Sequence, residues 1–193
     1  MKTIEHFVNG KSFSGESKRA GKIFNPATGD QSAEVKLATT KDINDAVANA
    51  KKAFEAWSNK PPLQRARIMF KFKELIEKNS DELTKIIVAE HGKVYEDARG
   101  SLTRGLEVVE YACGIPQMLK GEFTENVGSN VDSWSIRQPL GVCAGITPFN
   151  FPAMVPMWMF PMAIACGNTF VLKPSEKNPS CSLRLAELLK EAG

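Results

Sequence analysis

The chain has few of the residues from which metal centres and disulfide frameworks are built. Its 193 residues include only two histidines and four cysteines, and no two cysteines form a C-x-x-C pair. They are His6, His91, Cys113, Cys143, Cys166 and Cys181. This spacing predicts no metal site. A chain of this size needs no disulfides, and its first residues lack the apolar stretch of a secretory signal. We therefore expect four free cysteines in a reducing compartment, most simply the bacterial cytoplasm.

The chain also has no block of like charge. Basic residues number 25 and acidic residues 22, mixed along the sequence, for a net charge of +3. This pattern indicates an ordinary solvated surface and gives no reason to expect a nucleic acid or an acidic membrane as partner.

Long apolar runs are limited to one uncharged segment, residues 148–167, which resembles a membrane span in composition. Three prolines interrupt it, at Pro152, Pro156 and Pro161, and strand-like segments flank it on both sides. A span needs roughly 20 continuous apolar residues. A buried helix in a soluble protein is therefore the preferred interpretation, with a membrane span as the alternative.

What the first 121 residues do contain is turn signals followed by helical periodicity. Asn9-Gly10 between two short strand-like runs predicts a tight hairpin, and a strand is predicted at 34–38. Thr39 and Asp42 form the capping box of a first helix, and three more helices follow. We predict that the apolar stripe of every helix is buried. In the first helix the stripe is Ile43, Ala46, Val47, Ala50, Phe54 and Trp57.

Beyond residue 122 the pattern changes to strands. Residues 131–137 alternate like an exposed strand, and residues 140–147 form a continuous apolar run typical of a buried parallel strand. A helix that ends at Cys166, with Gly167 as its cap, precedes a second strand at 169–173. This βαβ pattern predicts parallel strands and an α/β fold. Open sheets of this kind normally have more strands, so we expect exposed hydrogen-bonding groups at the edge.

The turn after the first of these strands is the best candidate site, because open α/β sheets bind ligands at the carboxyl ends of their strands. Pro148 and Pro152 stiffen the turn and leave Asn150 little freedom. Its side-chain amide could donate a hydrogen bond to a developing oxyanion. From spacing alone, a cap on the following helix is a slightly better explanation of Asn150.

Lys173 and Glu176 end the next strand at the same edge. A donor and an acceptor three residues apart could bracket the hydroxyls of a ribose, although a solvated ion pair explains them at least as well. The chain has no G-x-G-x-x-G and no G-x-x-x-x-G-K-[ST] motif. The usual phosphate loops therefore give no support to nucleotide binding.

Three consecutive segments together resemble the aldehyde dehydrogenase superfamily. They are I-T-P-F-N-F-P at 146–152, A-M-V-P-M-W-M-F-P-M-A at 153–163 and G-N-T-F-V-L-K-P-S-E at 167–176. The opening F-V-N-G-K, F-N-P-A-T-G at 24–29 and Q-P-L-G-V at 138–142 fit the same family. The Met and Trp pattern after Asn150, with R-G-L-E-V-V-E-Y-A at 104–112, is similar to the CoA-acylating methylmalonate-semialdehyde dehydrogenases.

The resemblance implies the N-terminal part of that family's fold, with an incomplete Rossmann-like parallel sheet, flanking helices and an antiparallel strand excursion. Residues 1–121 would be the hairpin and helices of the NAD-binding domain. Residues 122–139 would be strands of the type used in oligomers, and residues 140–193 the first βαβα unit, with the catalytic domain absent. The intact enzymes form homodimers or homotetramers.

The resemblance also implies roles for individual residues. Asn150 would be the oxyanion donor, and Arg104 would pair with the substrate carboxylate through its guanidinium. The alternative for Arg104 is a surface pair with Glu107. The NAD contacts would come from Thr147, Phe149, Lys173, Glu176 and Lys177.

The implied reaction is NAD-dependent oxidation of methylmalonate or malonate semialdehyde to propionyl-CoA or acetyl-CoA, through a cysteine thioester with coenzyme A as acyl acceptor. The nucleophile is expected beyond residue 193, and all four cysteines are interpreted as structural, although a helix dipole could give Cys181 some thiolate character. Valine and inositol breakdown both remain open as pathways. The alternative function is a non-catalytic nucleotide-binding or interaction module that pairs its edge strands with another chain.

Overall fold

The computed structural model describes residues 2–193 as N-terminal strands, a group of packed helices and a parallel strand pair. The strands are β1 (Lys2–Ile4), β2 (His6–Val8), β3 (Lys11–Phe13), β4 (Ala20–Phe24), β5 (Gln31–Lys36), β6 (Phe123–Gly128), β7 (Val131–Trp134), β8 (Val142–Ile146) and β9 (Thr169–Lys173). The helices are α1 (Thr40–Ser58), α2 (Pro62–Lys78), α3 (Ser80–His91), α4 (Tyr95–Cys113), α5 (Ile115–Met118), α6 (Met154–Ala165) and α7 (Ser180–Ala192).

Asn9 and Gly10 turn the chain between β2 and β3, as predicted. Their φ angles are 52° and 69°, the left-handed conformation that a two-residue hairpin turn of type I′ requires. The other N-terminal strands form a sheet in the order β1-β5-β4. β5 begins earlier than the predicted strand, because its pairing with β4 extends back to Gln31.

The predicted capping box at the start of α1 is confirmed. The Thr39 hydroxyl accepts a hydrogen bond from the backbone N–H of Asp42, and the Asp42 carboxylate accepts one from the backbone N–H of Thr39 at 2.7 Å. Two otherwise unpaired backbone donors are satisfied, so the start of the helix is well defined.

The apolar stripe of α1 is only partly covered. Ile43 and Val47 are exposed, so the prediction of a buried stripe is wrong for the first turns of this helix. Later turns make the contacts with the rest of the fold. Trp57, for example, donates from its indole N–H to the carbonyl of Ile164 at 2.9 Å. Burial follows these tertiary contacts, which helical periodicity alone does not specify.

The other long helices form the core, as their periodicity predicts. Side chains from α2, α3, α4, α6 and α7 belong to one cluster of buried residues. Its largest fully buried members include Phe72, Ile76, Leu83, Ile87, Val109, Met157, Leu185 and Leu188. Leu63 at the start of α2 is an exception, since it is exposed. α3 stops at Gly92, whose φ of 82° is typical of a helix-terminating glycine.

Helices α4 and α6 approach each other closely at Gly105. A Cβ atom at this position would lie 2.3 Å from the Cε of Met157 and 3.2 Å from the Cα of Met154. A side chain here would displace the end of the Met157 side chain and press against the backbone of Met154, so glycine suits this close approach. The contact matters for the site because α6 follows directly on the turn that carries Asn150.

The parallel pairing of β8 and β9 confirms the predicted βαβ unit. The register runs from Val142 beside Thr169 to Ile146 beside Lys173. The prediction that residues 140–147 are buried is wrong for most of the segment: Leu140 and Ile146 are 93% and 80% exposed, and only Gly145 and Thr147 are buried. A parallel strand is buried when elements cover both its faces and edges, but within residues 2–193 β8 pairs only with β9.

Strands β6 and β7 form an antiparallel ribbon that is exposed along its whole length. The predicted strand at 131–137 ends at Trp134. Phe123 and Trp134 face each other across the ribbon and are both solvent-exposed. A role for residues 122–139 in an oligomer stays a prediction.

The uncharged segment of residues 148–167 contains α6, which is 12 residues long. Across the described range 2–193, no helix combines the length and apolar character needed to cross a membrane. All four cysteines are free, as expected.

Candidate functional site

The carboxyl ends of β8 and β9 meet at one edge of the sheet. Ile146 pairs with Lys173, and the backbone N–H of Thr147 donates to the carbonyl of Lys173 at 3.1 Å. The turn of residues 147–152 and the segment of residues 174–179 therefore leave the sheet side by side. This edge carries six of the seven residues singled out in the sequence: Thr147, Phe149, Asn150, Lys173, Glu176 and Lys177.

Asn150 is exposed in the turn, and its side chain has no hydrogen-bond partner within residues 2–193. Helix α6 begins after Ala153 without any side-chain cap. The alternative prediction that Asn150 caps this helix is therefore wrong. Its amide N–H groups remain available to a bound molecule.

Two buried polar side chains hold the backbone on either side of Asn150. The side-chain amide of Asn178 donates to the carbonyl of Phe149 at 2.7 Å, and the hydroxyl of Ser182 donates to the carbonyl of Pro152 at 2.9 Å. Sequence reasoning missed both residues. The sequence offers one indication of them, which is that both are polar and lie near the start of α7. Polar residues at this position usually cap the helix and contact solvent.

The two phenylalanines that flank Asn150 are each held by a cation. The Lys177 ammonium lies 4.5 Å from the ring centroid of Phe149, and the Lys93 ammonium lies 3.8 Å from that of Phe151. His91 also stacks on Phe149, with 6.5 Å between ring centroids. Sequence reasoning missed Lys93 and His91, because the link between α3 and α4 is far from the turn along the chain.

Lys173 and Glu176 form an ion pair at the end of β9. The ammonium and carboxylate are 2.9 Å apart, and the side chains are 58% and 51% exposed. The hydrogen bond from Lys173 is the main cause of a lowered pKa of the Glu176 carboxyl, so the carboxylate is ionised at neutral pH. A donor and an acceptor are thus presented together to solvent at the sheet edge.

Arg104 is exposed on α4, and within residues 2–193 it forms no ion pair with Glu107. The alternative prediction of a surface pair is therefore wrong. Arg104 lies near Lys93 and is one of the causes of a lowered pKa of that ammonium. Burial is the larger cause, and Asp97 opposes the shift.

Three buried polar atoms around the turn have no hydrogen-bond partner within the described residues. They are the Thr147 hydroxyl, Nδ1 of His91 and Oδ1 of Asn178. A buried group of this kind destabilises a fold by about 1–3 kcal/mol. In the helical core, by contrast, the buried hydroxyls of Thr84 and Ser101 are both bonded. Within the described fold, buried polar atoms without a hydrogen bond are therefore concentrated around this turn.

A comparison with protein-family models decides the family. The model described as the aldehyde dehydrogenase family matches residues 13–193. The chain belongs to the aldehyde dehydrogenase family. The family resemblance read from the motifs at 146–152 and 167–176 is thereby confirmed.

Among curated proteins, this aldehyde dehydrogenase chain is similar to the malonate-semialdehyde dehydrogenase of Pseudomonas aeruginosa, with 54% identity over 193 residues. It is 50% identical over 190 residues to the acylating mitochondrial methylmalonate-semialdehyde dehydrogenase of Arabidopsis thaliana. The alignments cover 100% and 98% of this chain, but only 39% and 31% of those proteins. The chain thus spans well under half the length of these relatives.

Solved structures confirm the fold as the N-terminal portion of an aldehyde dehydrogenase. The methylmalonate-semialdehyde dehydrogenase of Oceanimonas doudoroffii matches with a TM-score of 0.97 and 57% identity. A methylmalonate-semialdehyde dehydrogenase from Sinorhizobium meliloti, complexed with NAD, matches with a TM-score of 0.98 and 52% identity. Both matches cover 100% of this chain and 39% of the solved one.

The Cys181 thiol is not activated as a nucleophile. The residue is buried, and burial is the main cause of a raised pKa of its thiol, with the negative charge of Glu90 as a second cause. The Glu90 carboxylate itself occupies the start of α7, where it accepts from the backbone N–H of Ser180 at 3.0 Å. The suggested thiolate character from the helix dipole is therefore wrong, and the structural interpretation of Cys181 is supported.

Proposed function

We propose that this segment supplies the cofactor-binding edge and the oxyanion donor of an NAD-dependent, CoA-acylating aldehyde dehydrogenase. The substrates would be malonate or methylmalonate semialdehyde, and the products acetyl-CoA or propionyl-CoA. One observation carries the proposal: Asn150 and the Lys173–Glu176 pair emerge from neighbouring parallel strands at a single sheet edge. The names of two similar relatives support the substrate class.

The sheet edge fits NAD by the chemistry of its groups. Lys173 and Glu176 offer an exposed donor and acceptor, which suit the two hydroxyls of the adenosine ribose. Thr147 and Phe149 would line the cleft, with Lys177 close to the adenosine end. When bound, NAD would supply the hydride acceptor. The complex of the Sinorhizobium meliloti relative with NAD supports this assignment.

Asn150 would stabilise the negative charge that develops on the aldehyde oxygen when a thiolate attacks it. One preorganised donor of this kind contributes roughly 3 kcal/mol to transition-state stabilisation. Because Asn178 and Ser182 hold the carbonyls on both sides of it, the asparagine needs little reorganisation at the moment of reaction.

Arg104 would bind the carboxylate that distinguishes these semialdehydes from simple aldehydes. A guanidinium forms two parallel hydrogen bonds to a carboxylate, and no ion pair within residues 2–193 occupies it. Coenzyme A, as acyl acceptor, would receive the acyl group from a cysteine thioester formed elsewhere in the enzyme.

The remaining assignments are part of the same proposal. Residues 1–121 and 140–193 would belong to the NAD-binding domain, and the exposed ribbon in residues 122–139 would pair in a homodimer or homotetramer. A cytoplasmic location is our prediction. Relatives from Arabidopsis thaliana and Dictyostelium discoideum are mitochondrial by name, so the family occurs in more than one compartment.

One observation favours the second candidate, an interaction module without catalysis. The highly exposed Leu140 precedes β8 and the highly exposed Ile146 ends it, and the pairing of β8 within the described residues is limited to β9. A strand of another chain could add there. Reading the coding sequence past residue 193 separates the candidates, since a continued frame with a cysteine nucleophile supports the enzyme and a stop codon supports the module.

Enzymatic tests need a chain of the relatives' length. We define the chimaera as the Pseudomonas aeruginosa relative with its corresponding part replaced by residues 1–193. Asn150→Ala in the chimaera should lower kcat about 10²–10³-fold. Asn44→Ala, at an exposed position on α1, serves as control. An unchanged kcat for Asn150→Ala would contradict the proposal. The 193-residue chain alone should form no NADH from malonate semialdehyde, NAD and coenzyme A.

A further inference from the structure

Lys93 lies beside the turn that carries Asn150, although it belongs to the link between α3 and α4. Gly92, in a left-handed conformation with φ 82°, directs this link. The glycine has no room for a side chain, because a Cβ atom would lie 2.8 Å from Pro26. The link thereby brings the Lys93 ammonium to 3.8 Å from the ring centroid of Phe151, the residue after Asn150.

Lys93 forms no ion pair within residues 2–193, although the nearby charge of Asp97 favours its protonated form. Its polar contact is the hydroxyl of Ser101, at 3.4 Å. A partly buried cation without a carboxylate partner is unfavourable, since it loses water and gains little in return. Most ion pairs among the described residues are surface pairs within one helix, such as Lys85 with Asp81. Within residues 2–193, Lys93 is therefore a positive charge at the site that no carboxylate contacts directly.

Lys93 and Arg104 approach the same region of α4. Ser101 is buried on α4 and precedes Arg104 by three residues, which places both on one side of the helix. The contact with Ser101 thus brings the Lys93 ammonium within about one turn of Arg104. Two cations that repel each other in the free protein would both be relieved by one bound anion.

We propose that Lys93, with Phe151 beneath it and Arg104 near it, is a second specificity-determining cation for the carboxylate of the semialdehyde substrate. This inference rests on the proposed function and deepens it. It assigns to Lys93 an electrostatic role toward the substrate in addition to its contact with Phe151. A lysine that only supports the Phe151 ring would affect all aldehydes alike. A lysine that attracts the carboxylate affects only the substrates that carry one.

The test compares Lys93→Met and Lys93→Arg in the chimaera, with malonate semialdehyde and propanal as substrates. In Lys93→Met, the KM for malonate semialdehyde should rise about tenfold more than the KM for propanal, because both substrates experience the loss of the Phe151 contact but only malonate semialdehyde loses a charged interaction. Lys93→Arg, which keeps the charge, should recover most of the affinity. Inhibition of propanal oxidation by 3-hydroxypropionate, an unreactive carboxylated analogue, should weaken in parallel.

Lys78→Met, at an exposed lysine on α2, is the matched control. If Lys93→Met prevents folding, Lys93→Gln repeats the comparison with a polar neutral side chain, and propanal turnover verifies that it is folded. An unchanged KM for malonate semialdehyde, or equal losses with both aldehydes, would overturn the role of Lys93. A chimaera that shows no preference for malonate semialdehyde over propanal would instead contradict the proposed function itself.

Discussion

The side-chain amide of Asn178 reaches across 29 residues of sequence to donate to the backbone carbonyl of Phe149, at 2.7 Å. This bond joins the segment after β9 to the turn after β8. It acts on the residue immediately before Asn150, so it restricts the direction in which the Asn150 side chain can point. The contact is part-buried, which makes it stronger than the same bond in water.

Asn178→Ala should loosen the turn and lower catalysis in the chimaera. Removing the donor leaves the Phe149 carbonyl unsatisfied, which should reduce the free energy of unfolding by about 1–3 kcal/mol. A small displacement of a catalytic group can reduce kcat by up to about 10²-fold. Steady-state kinetics and hydrogen exchange of the peptide containing residues 149–153 measure both effects.

The matched control is again Asn44→Ala. The KM for NAD should change less than kcat in Asn178→Ala, because neither Lys173 nor Glu176 contacts this amide. Normal exchange of the turn together with normal kcat would show that Asn178 has no positioning role.

Gly105→Ala should destabilise the fold through the contact between α4 and α6. The new Cβ would lie 2.3 Å from Met157, and such overpacking costs typically about 1–3 kcal/mol. Gly100→Ala on the same helix meets no atom within 4 Å and should be neutral or stabilising by up to about 1 kcal/mol. Urea denaturation of the 193-residue chain compares the two. Equal effects at both positions would contradict the close approach.

Thr39→Ala should weaken the start of α1 by about 1 kcal/mol, the usual cost of losing a cap side chain. The neighbouring Thr40 is exposed and makes no side-chain hydrogen bond in the described structure. Thr40→Ala should therefore change the free energy of unfolding much less. A loss of the same size at Thr40 would show that the capping box does not determine the effect.

The free energy of unfolding should fall at acid pH, because protonation of the Asp42 carboxylate weakens the capping box. Hydrogen bonds from Thr39 hold the pKa of the folded Asp42 carboxyl below its ordinary value of 3.8. The ionised form is therefore stabilising at pH values above 3.8, and this stabilisation is lost as the pH falls through the lower folded-state pKa.

The variant Asp42→Asn mimics the protonated acid at every pH. Its deficit in unfolding free energy relative to the native chain should be full at pH 7 and should shrink below the ordinary value of 3.8. Asp30→Asn, in an exposed turn, is the control. A deficit that stays constant down to the lowest measurable pH would be incompatible with the assigned carboxylate role.

Arg104→Ala in the chimaera should impair carboxylated aldehydes selectively. The loss of a charge-assisted pair should raise the KM for malonate semialdehyde about tenfold or more. Propanal lacks the carboxylate, so its kcat/KM should change little. Glu107→Ala, one turn further along α4, is the control. Equal losses for both aldehydes would remove the substrate role of Arg104.

Local features of the fold were predictable because short-range chemistry determines them. The positive φ angles of Asn9 and Gly10, the Thr39–Asp42 capping box and the stop of α3 at Gly92 all depend on neighbouring residues alone. The parallel pairing of β8 with β9 followed from the alternation of strand, helix and strand.

Burial was less predictable, because it depends on which elements pack together. Ile43, Val47, Leu140 and Ile146 carry the periodicity or the apolar character of core residues, yet all four are exposed. A hydrophobic pattern indicates which side chains favour burial away from water. It does not indicate whether another element lies over them within the same chain.

At the candidate site, the sequence by itself determined that the segments bearing Asn150, Lys173 and Glu176 leave the same edge of a sheet, because two strands joined by one crossover helix pair in parallel. It also carried the motifs that identify the aldehyde dehydrogenase family. Only the tertiary structure decided that Lys93 and Asn178 touch the same turn. Contacts between residues far apart in the chain arise from the packing of α3 and α7 against each other and against neighbouring helices, and no local preference encodes them.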